Sequence, residues 1–176
     1  MTVSQSITGI VASLLVAILI VTAGSSGSIS LQGIPLFAVC GIIGFLLHWT
    51  VFIPSFAFRT EHYFDLTGSL SYVSTVVAAI MLNPSFDIRD IIICLMIVIW
   101  ATRLGSFLFR RIKKDGQDKR FIVMKTKFTW FLMTWTIGGL WVLVTMAAGL
   151  AALTSNLSLI HISEPTRLRR ISYAVF

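Results

Sequence analysis

Five long apolar stretches divide this sequence, and its charged residues cluster in the short connections between them. Crossing about 30 Å of hydrocarbon takes roughly 20 apolar residues in a helix, far more than a barrel strand needs. The pattern therefore predicts an all-α fold, a polytopic transmembrane helical bundle of about five spans. The predicted spans are residues 7–23, 34–56, 66–82, 88–109 and 128–153.

The composition supports a lipid environment. Only 12% of the 176 residues are charged and 56% are hydrophobic, and the mean hydropathy is +0.90. A soluble domain carries about 25% charged residues, because its surface must face water. A bilayer removes that demand, so we expect an integral, multi-pass membrane protein whose main partner is the lipid bilayer.

The placement of basic residues predicts the orientation. The net charge of +7 arises largely from the loop at residues 110–127. Lysine and arginine are retained on the cytoplasmic side of membrane proteins. We therefore expect the N-terminus and the 110–127 loop to be cytoplasmic. No nucleic-acid recognition motif accompanies the charge, so nucleic acid is not an expected partner.

A polar segment at residues 59–69, between the second and third predicted spans, is the first candidate site. It contains Glu61, His62, Tyr63 and Asp65. Such groups can donate a proton to a bound substrate or orient its carbonyl. The residue types alone favour a plainer interpretation. In it the loop is solvated, Asp65 caps the third helix, and Tyr63 belongs to the interfacial aromatic belt.

Arg103 and His48 are ionisable residues inside predicted spans. A cation at the centre of a span costs about 2.5 to 3.5 kcal/mol, although Arg103 is expected about two turns from its helix end. Helical spacing places Arg103, Arg110 and Lys114 on one face, which suits either phosphate binding or anchoring to lipid headgroups. A hydrogen bond to a neighbouring helix is the favoured role for His48. No metal-ligand spacing or nucleotide-binding glycine fingerprint is present.

Two pairs of glycines fall within the predicted spans. Small residues let membrane helices approach closely. We therefore predict helix packing at four positions, which are Gly41, Gly44, Gly138 and Gly139.

Three strings, at residues 61–69, 100–112 and 114–121, make the sequence similar to a known family. They resemble the steroid 5-alpha-reductase-like membrane family, also called domain of unknown function 1295, and the likeness extends over about residues 35–149. The resemblance implies a helical membrane reductase. Such an enzyme uses NADPH to saturate a carbon–carbon double bond conjugated to a carbonyl in a steroid or isoprenoid-like lipid.

The resemblance also implies roles for individual residues. Glu61 and Tyr63 would be catalytic and polarise the substrate carbonyl, whereas Arg103, Asp115 and Arg120 would lie on the cofactor side. The family also carries much of its cofactor-binding equipment in a further C-terminal region, which nothing in this sequence matches. We therefore expect an incomplete catalytic unit. The second departure from the family is Gly138, where the resemblance implies a polar amide.

The last twenty residues differ in character from the rest. Residues 157–167 and 171–176 match the translation of two parts of a sequencing-library adapter, separated by the three codons that a sample index would fill. The alternative is a short basic tail that binds anionic lipid. We favour the adapter, which predicts a transmembrane domain at residues 1–156 and an artefact at 157–176.

The sequence therefore favours a truncated NADPH-dependent reductase of an enone-type lipid. Two alternatives stay open. One is a membrane methyltransferase acting on lipids or isoprenyl groups, which would also hold its cofactor at the cytoplasmic ends of helices. The other is a non-enzymatic transporter or membrane scaffold, with His48 and Arg103 along a polar path. No inverted repeat supports the transporter.

Overall fold

The computed structural model of the chain describes residues 1–85, 87–116 and 118–155, without the side chains of Asp115 and Lys119. The predicted adapter segment at 157–176 lies outside the described residues. The described part contains five long helices and one short two-stranded ribbon. These elements are α1 (Val3–Ser25), β1 (Ser30–Leu31), β2 (Ile34–Pro35), α2 (Leu36–Ala57), α3 (Phe64–Leu82), α4 (Ile88–Asp115) and α5 (Phe128–Thr154).

All five helices are long and apolar enough to cross a membrane, which confirms the predicted fold class. The fourth helix is longer than its predicted span, because it continues to Asp115 and ends at Gly116 with a φ of +76°. Glycine adopts such a φ without strain and commonly ends helices. Arg103 therefore lies about three turns before the helix end, not two.

A tight hairpin between α1 and α2 was not predicted from the sequence. Its strands pair antiparallel, with Leu31 opposite Ile34. The two residues between them, Gln32 and Gly33, have φ values of +50° and +88°. Positive φ at both central positions is the geometry of a type I′ turn, whose twist matches that of the flanking strands.

Helix α5 lies at the centre of the bundle and packs against α1, α2 and α3. Its buried side chains recur at intervals of three or four residues, as one face of a helix requires. The predicted glycine contacts are confirmed. A Cβ on Gly44 would lie 3.3 Å from Val142, and one on Gly139 would lie 2.9 Å from a Phe45 ring atom. The buried face of α5 includes Phe131, Trp135, Gly139, Val142, Met146, Leu150 and Leu153.

The helices place the connecting segments at two ends of the bundle. The N-terminal part of α1 lies beside the beginning of α5, where Gly9 faces Met133. At the other end, the Ile29 amide donates to the Thr154 carbonyl over 2.7 Å. We call the end with residues 116–127 the loop end, and the end with β1 and β2 the hairpin end. The N-terminus and the loop before α3 lie at the loop end, as the predicted topology requires.

Polar side chains close the hairpin end. The Asn83 amide nitrogen donates to the Leu153 carbonyl over 2.9 Å, and Arg89 donates to the Ala152 carbonyl over 3.1 Å. Arg89 also pairs at 2.9 Å with Asp90, whose side chain is almost fully buried. These contacts satisfy carbonyls in the last turn of α5 that have no partner within the helix.

The close approach at Gly138 gives a stability prediction. A Cβ there would lie 2.7 Å from His48 Cδ2 and 3.1 Å from Phe64 Cε2. Gly138→Ala should therefore lower the free energy of unfolding by about 1 to 3 kcal/mol, because packed rings must move. Thermal unfolding in detergent micelles measures this loss.

Gly68→Ala is the matched control, since a Cβ at Gly68 meets nothing within 4 Å. It should leave stability unchanged or raise it by up to about 1 kcal/mol, the helix-propensity gain of alanine. Equal melting temperatures for the two variants would contradict the described packing.

Candidate functional site

A cavity of about 320 Å³ lies between α2, α3, α4 and α5 at the loop end of the bundle. Much of its wall is apolar, formed by side chains such as Leu104, Leu108 and Ile137. Its volume falls at the lower end of the range for small-molecule sites. Six residues with polar side chains also line it, namely His48, Asp65, Ser69, Tyr72, Arg120 and Thr134.

Charged side chains gather where this cavity meets the loop end. Asp65 pairs with Arg111 of α4 at 3.5 Å, and Arg120 pairs with Asp118. The interpretation of Asp65 as a helix cap is wrong. The N-cap of α3 is Tyr63, without a side-chain hydrogen bond, and Asp65 lies in the first turn. There its carboxylate is free to contact α4 and the cavity.

His48 is buried within the bundle and lines the same cavity. Its Nδ1 lies 2.7 Å from the carbonyl oxygen of Gly44, four residues earlier in α2. A carbonyl only accepts, so Nδ1 carries a proton and Nε2 is left to accept a hydrogen bond. The predicted bond to a neighbouring helix is therefore wrong, because His48 satisfies itself within its own helix and keeps one nitrogen for the cavity.

Glu61 is 2% exposed and lies just before α3. One carboxylate oxygen accepts from Lys125 Nζ at 2.9 Å. The other accepts from the backbone amide of Asp118 at 3.2 Å. Both partners belong to the loop between α4 and α5, so Glu61 holds that loop against the beginning of α3.

His62 makes a second connection to the same region. Its Nε2 lies 2.9 Å from the Gly116 carbonyl, and its Nδ1 lies 2.6 Å from the Thr60 hydroxyl oxygen. Tyr63 is 51% exposed and lines a separate cavity of about 260 Å³ with His62 and Lys113. Glu61 and Tyr63 are therefore only two residues apart along the chain, but neither lines the 320 Å³ cavity.

The three predicted cofactor residues also separate. Arg120 lines the 320 Å³ cavity. Arg103 is exposed on the outer face of α4, as are Arg110 and Lys114, so the predicted basic stripe lies on one exposed face. Asp115 ends α4, but its side chain lies outside the described residues. No group of three or more metal-ligating side chains occurs among the residues that the structure describes.

Sequence reasoning missed the importance of Lys125 and Phe121. The motif strings stop at residue 121, so nothing singled out a lysine four residues later as the partner of Glu61. Phe121 is 4% exposed and packs with Phe52, Phe131 and Trp135. An aromatic residue inside an otherwise basic loop was the available signal, because such a residue in a solvated loop would leave a large apolar surface in water.

The electrostatics of the loop give a pH prediction. Hydrogen bonds from the Arg120 guanidinium hold the pKa of Asp118 below its ordinary value of 3.8. A lowered pKa stabilises the folded loop above the ordinary value, and that contribution is lost as pH falls through the lower, folded value. A spin label at Ile122→Cys should therefore show unchanged mobility from neutral pH to about pH 5, and release only at more acidic pH.

In the Asp118→Asn variant the label should already be more mobile at neutral pH, because the charged pair with Arg120 is gone. Release of the wild-type loop between about pH 5 and 7 would contradict this assignment.

The fold and the cavity together define a helical membrane-type protein, with five apolar helices and a cavity that meets a charged loop at one end. The apolar helices indicate a lipid bilayer environment. The chain belongs to the family described as "Protein of unknown function (DUF1295)", whose model matches residues 51–168. No curated protein and no solved structure matches the chain.

The matched range includes Glu61, Tyr63, Arg103, Asp115 and Arg120, but not His48. It also extends over residues 157–168, the first part of the predicted adapter segment. The adapter origin of 157–176 stays a prediction.

Proposed function

We propose that this chain is part of an NADPH-dependent membrane reductase that saturates an enone-type steroid or isoprenoid lipid. The observation that carries the proposal is the 320 Å³ cavity, which joins an apolar wall to a charged end. An enone lipid has the same division, with a carbonyl at one end and hydrocarbon at the other. The family resemblance implies the reaction, and we take the cavity as the candidate binding space for its substrate.

The polar residues of the cavity suit the carbonyl end of such a lipid. Arg120 is a cation with several N–H donors, and Ser69 contributes a hydroxyl. Hydrogen bonds to the carbonyl oxygen would withdraw electrons from the conjugated double bond and prepare its β-carbon for hydride. NADPH supplies that hydride when bound, and a proton completes the reduction at the α-carbon.

The basic residues of the loop end suit the phosphates of the cofactor. Arg110, Lys113 and Lys114 are exposed there, and cationic side chains bind phosphate through charge-assisted hydrogen bonds. Arg120 lines the cavity and belongs to the loop that follows this basic part of α4. The same basic loop supports a cytoplasmic location for the loop end and for the N-terminus.

Glu61 and Tyr63 keep their proposed catalytic roles, with one structural condition. Both oxygens of Glu61 are engaged by the loop between α4 and α5. The pair with Lys125 must therefore open before Glu61 reaches a bound carbonyl. In this proposal, opening of the loop frees Glu61 to contact a substrate in the cavity, and closure restores the pair with Lys125.

The test is an assay in liposomes with enone lipids and either NADPH or S-adenosylmethionine. It uses the chain as it stands and the longer reading frame recovered by resequencing the gene beyond residue 156. The proposal predicts an NADPH-dependent product that is heavier by two hydrogens. A methylated product would favour the methyltransferase, and lipid flux without chemical change would favour the transporter. Either result, or no product from the longer chain with NADPH, would overturn the proposal.

A further inference from the structure

A second cavity of about 370 Å³ lies directly beyond the first, toward the hairpin end. Its lining includes Ile93, Met96 and Ile97 of α4 together with Met146 and Gly149 of α5. The first cavity is lined by Leu104 and Leu108 of the same α4, farther toward the loop end. The two cavities therefore follow one another along the seam between α4 and α5.

Tyr72 of α3 lines both cavities and lies at the boundary between them. Its hydroxyl lies 2.7 Å from Thr145 Oγ1 on α5, and its ring packs edge-on against Trp100 of α4 at a centroid distance of 4.9 Å. The Thr145 hydroxyl already donates to the Trp141 carbonyl at 2.7 Å, so it accepts from Tyr72. One side chain thus bridges α4 and α5 and separates the two spaces.

The second cavity differs from the first in chemistry. Apart from the hydroxyls of Tyr72 and Thr145, its walls are apolar. Rim residues of the two cavities are well exposed, including Met96 at 66% and Trp141 at 65%. Because these residues lie within membrane-type helices, the cavities open sideways toward lipid. A hydrocarbon tail suits such a space because its apolar surface is favoured in an apolar environment.

From these observations we infer that Tyr72 is a tail gate, which admits the hydrocarbon tail of a single-chain amphipathic lipid from the first cavity into the second. The polar end of the lipid stays beside Asp65 and Arg120. Ile93 and Leu108 are fifteen residues apart on α4, so the joined slot is about 22 Å long. This length suits an extended tail and exceeds what a compact fused-ring molecule fills.

The inference rests on the proposed function for the identity of the lipid's polar end. The gate itself depends only on the geometry of Tyr72. A long tail that follows the slot inside the bundle must displace the Tyr72 ring from Thr145 and Trp100, whereas a short tail ends before reaching it. Tyr72 is therefore a specificity-determining residue for tail length and has no assigned part in bond making.

Photo-crosslinking in nanodiscs tests the gate without any turnover. Two enone probes carry a diazirine at the tail end, one on an octyl and one on an octadecyl chain. We expect the octadecyl probe to label a buried residue beyond Tyr72, namely Met146, which is 4% exposed, and the octyl probe to label the region of Leu104 and Leu108. Mass spectrometry of peptides locates each label.

Variants of Tyr72 sharpen the test. Tyr72→Trp, with a larger ring, should reduce octadecyl labelling of Met146 at least tenfold and leave octyl labelling unchanged. Tyr72→Phe, which loses the bond to Thr145, should increase it. Phe107→Ala is the control, because Phe107 is 63% exposed and lines neither cavity. It should leave both labelling patterns unchanged.

The inference is overturned if the octadecyl probe labels only outer lipid-facing residues such as Met96, or if its labelling of Met146 is the same in Tyr72→Trp and wild type. Because labelling needs no NADPH, its result is independent of reduction. Labelling as expected without any reduction contradicts the proposed function alone, and reduction without labelling beyond Tyr72 contradicts the gate alone.

Discussion

Replacing Glu61 with glutamine should abolish NADPH-dependent reduction of an enone lipid while the five helices remain folded. The carboxylate is 2% exposed and accepts from Lys125 and from the Asp118 amide. Glutamine keeps an oxygen for one of these donors but presents an N–H group to the other. The proposed catalytic group is then lost and the loop loses an ionic contact. Product formation in liposomes, followed by mass spectrometry, measures the effect.

Asp87→Asn is the matched control for this carboxylate-to-amide change. Asp87 caps α4 at the hairpin end, far from the loop, and asparagine caps a helix about as well as aspartate. Reduction should therefore continue in Asp87→Asn. Turnover of Glu61→Gln at the wild-type rate would remove Glu61 from the proposed mechanism.

Replacing Lys125 with methionine should lower the free energy of unfolding more than replacing Glu61 with glutamine. Its side chain is 17% exposed, and its partner Glu61 has a side chain that is only 1% exposed. Removing the lysine leaves a buried carboxylate without its cation, which typically costs about 3 to 5 kcal/mol. Chemical unfolding in micelles should show this loss, and spin labels in the loop should become mobile.

Replacing Glu61, the other member of the pair, should cost less of the free energy of unfolding. In Glu61→Gln the remaining lysine can extend its flexible stem toward water, so we expect a loss of only about 1 to 2 kcal/mol. The double variant Glu61→Gln/Lys125→Met should recover most of the stability lost in Lys125→Met, because no buried charge remains. Additive losses in the double variant would show that the two side chains do not interact as described.

The helices were predictable because each depends on local properties of the chain. A run of about twenty apolar residues forms a helix in lipid whatever surrounds it. The predicted first residue of the fourth and fifth spans, Ile88 and Phe128, is also the observed first residue of α4 and α5. The end of α4 was missed because its last turn is basic, and a hydropathy pattern cannot distinguish a charged helical turn from a loop.

The candidate site was less predictable because it depends on contacts between distant parts of the chain. The pairing of Glu61 with Lys125 joins residues 64 positions apart. Residue types alone show that both are ionisable but not that they meet. Tyr72 shows the same limit. It resembles any aromatic residue of a membrane helix, and only the packing of α4 and α5 on either side makes it a boundary between two cavities.

Arg103 and Arg120 have the same predicted role, but the structure places them differently for a related reason. Both lie in strings that support the family resemblance. Arg120 follows the end of α4, where the chain turns back toward the bundle and reaches the cavity. Arg103 lies within α4 on its outer face. Helix geometry fixes the side of the helix on which each residue lies. A basic residue in a motif therefore lines a site only if the site is on that side of the helix.

The central claim is that the loop between α4 and α5 folds over the beginning of α3 and closes the charged end of the cavity. Cysteine cross-linking in intact membranes tests it most directly, with Glu61→Cys and Lys125→Cys in a chain whose buried Cys40 and Cys94 are replaced by alanine. A short bis-maleimide should link this pair, and should not link Glu61→Cys to Ser28→Cys at the hairpin end. Failure to link positions 61 and 125, while each cysteine alone reacts with a maleimide, would contradict the account.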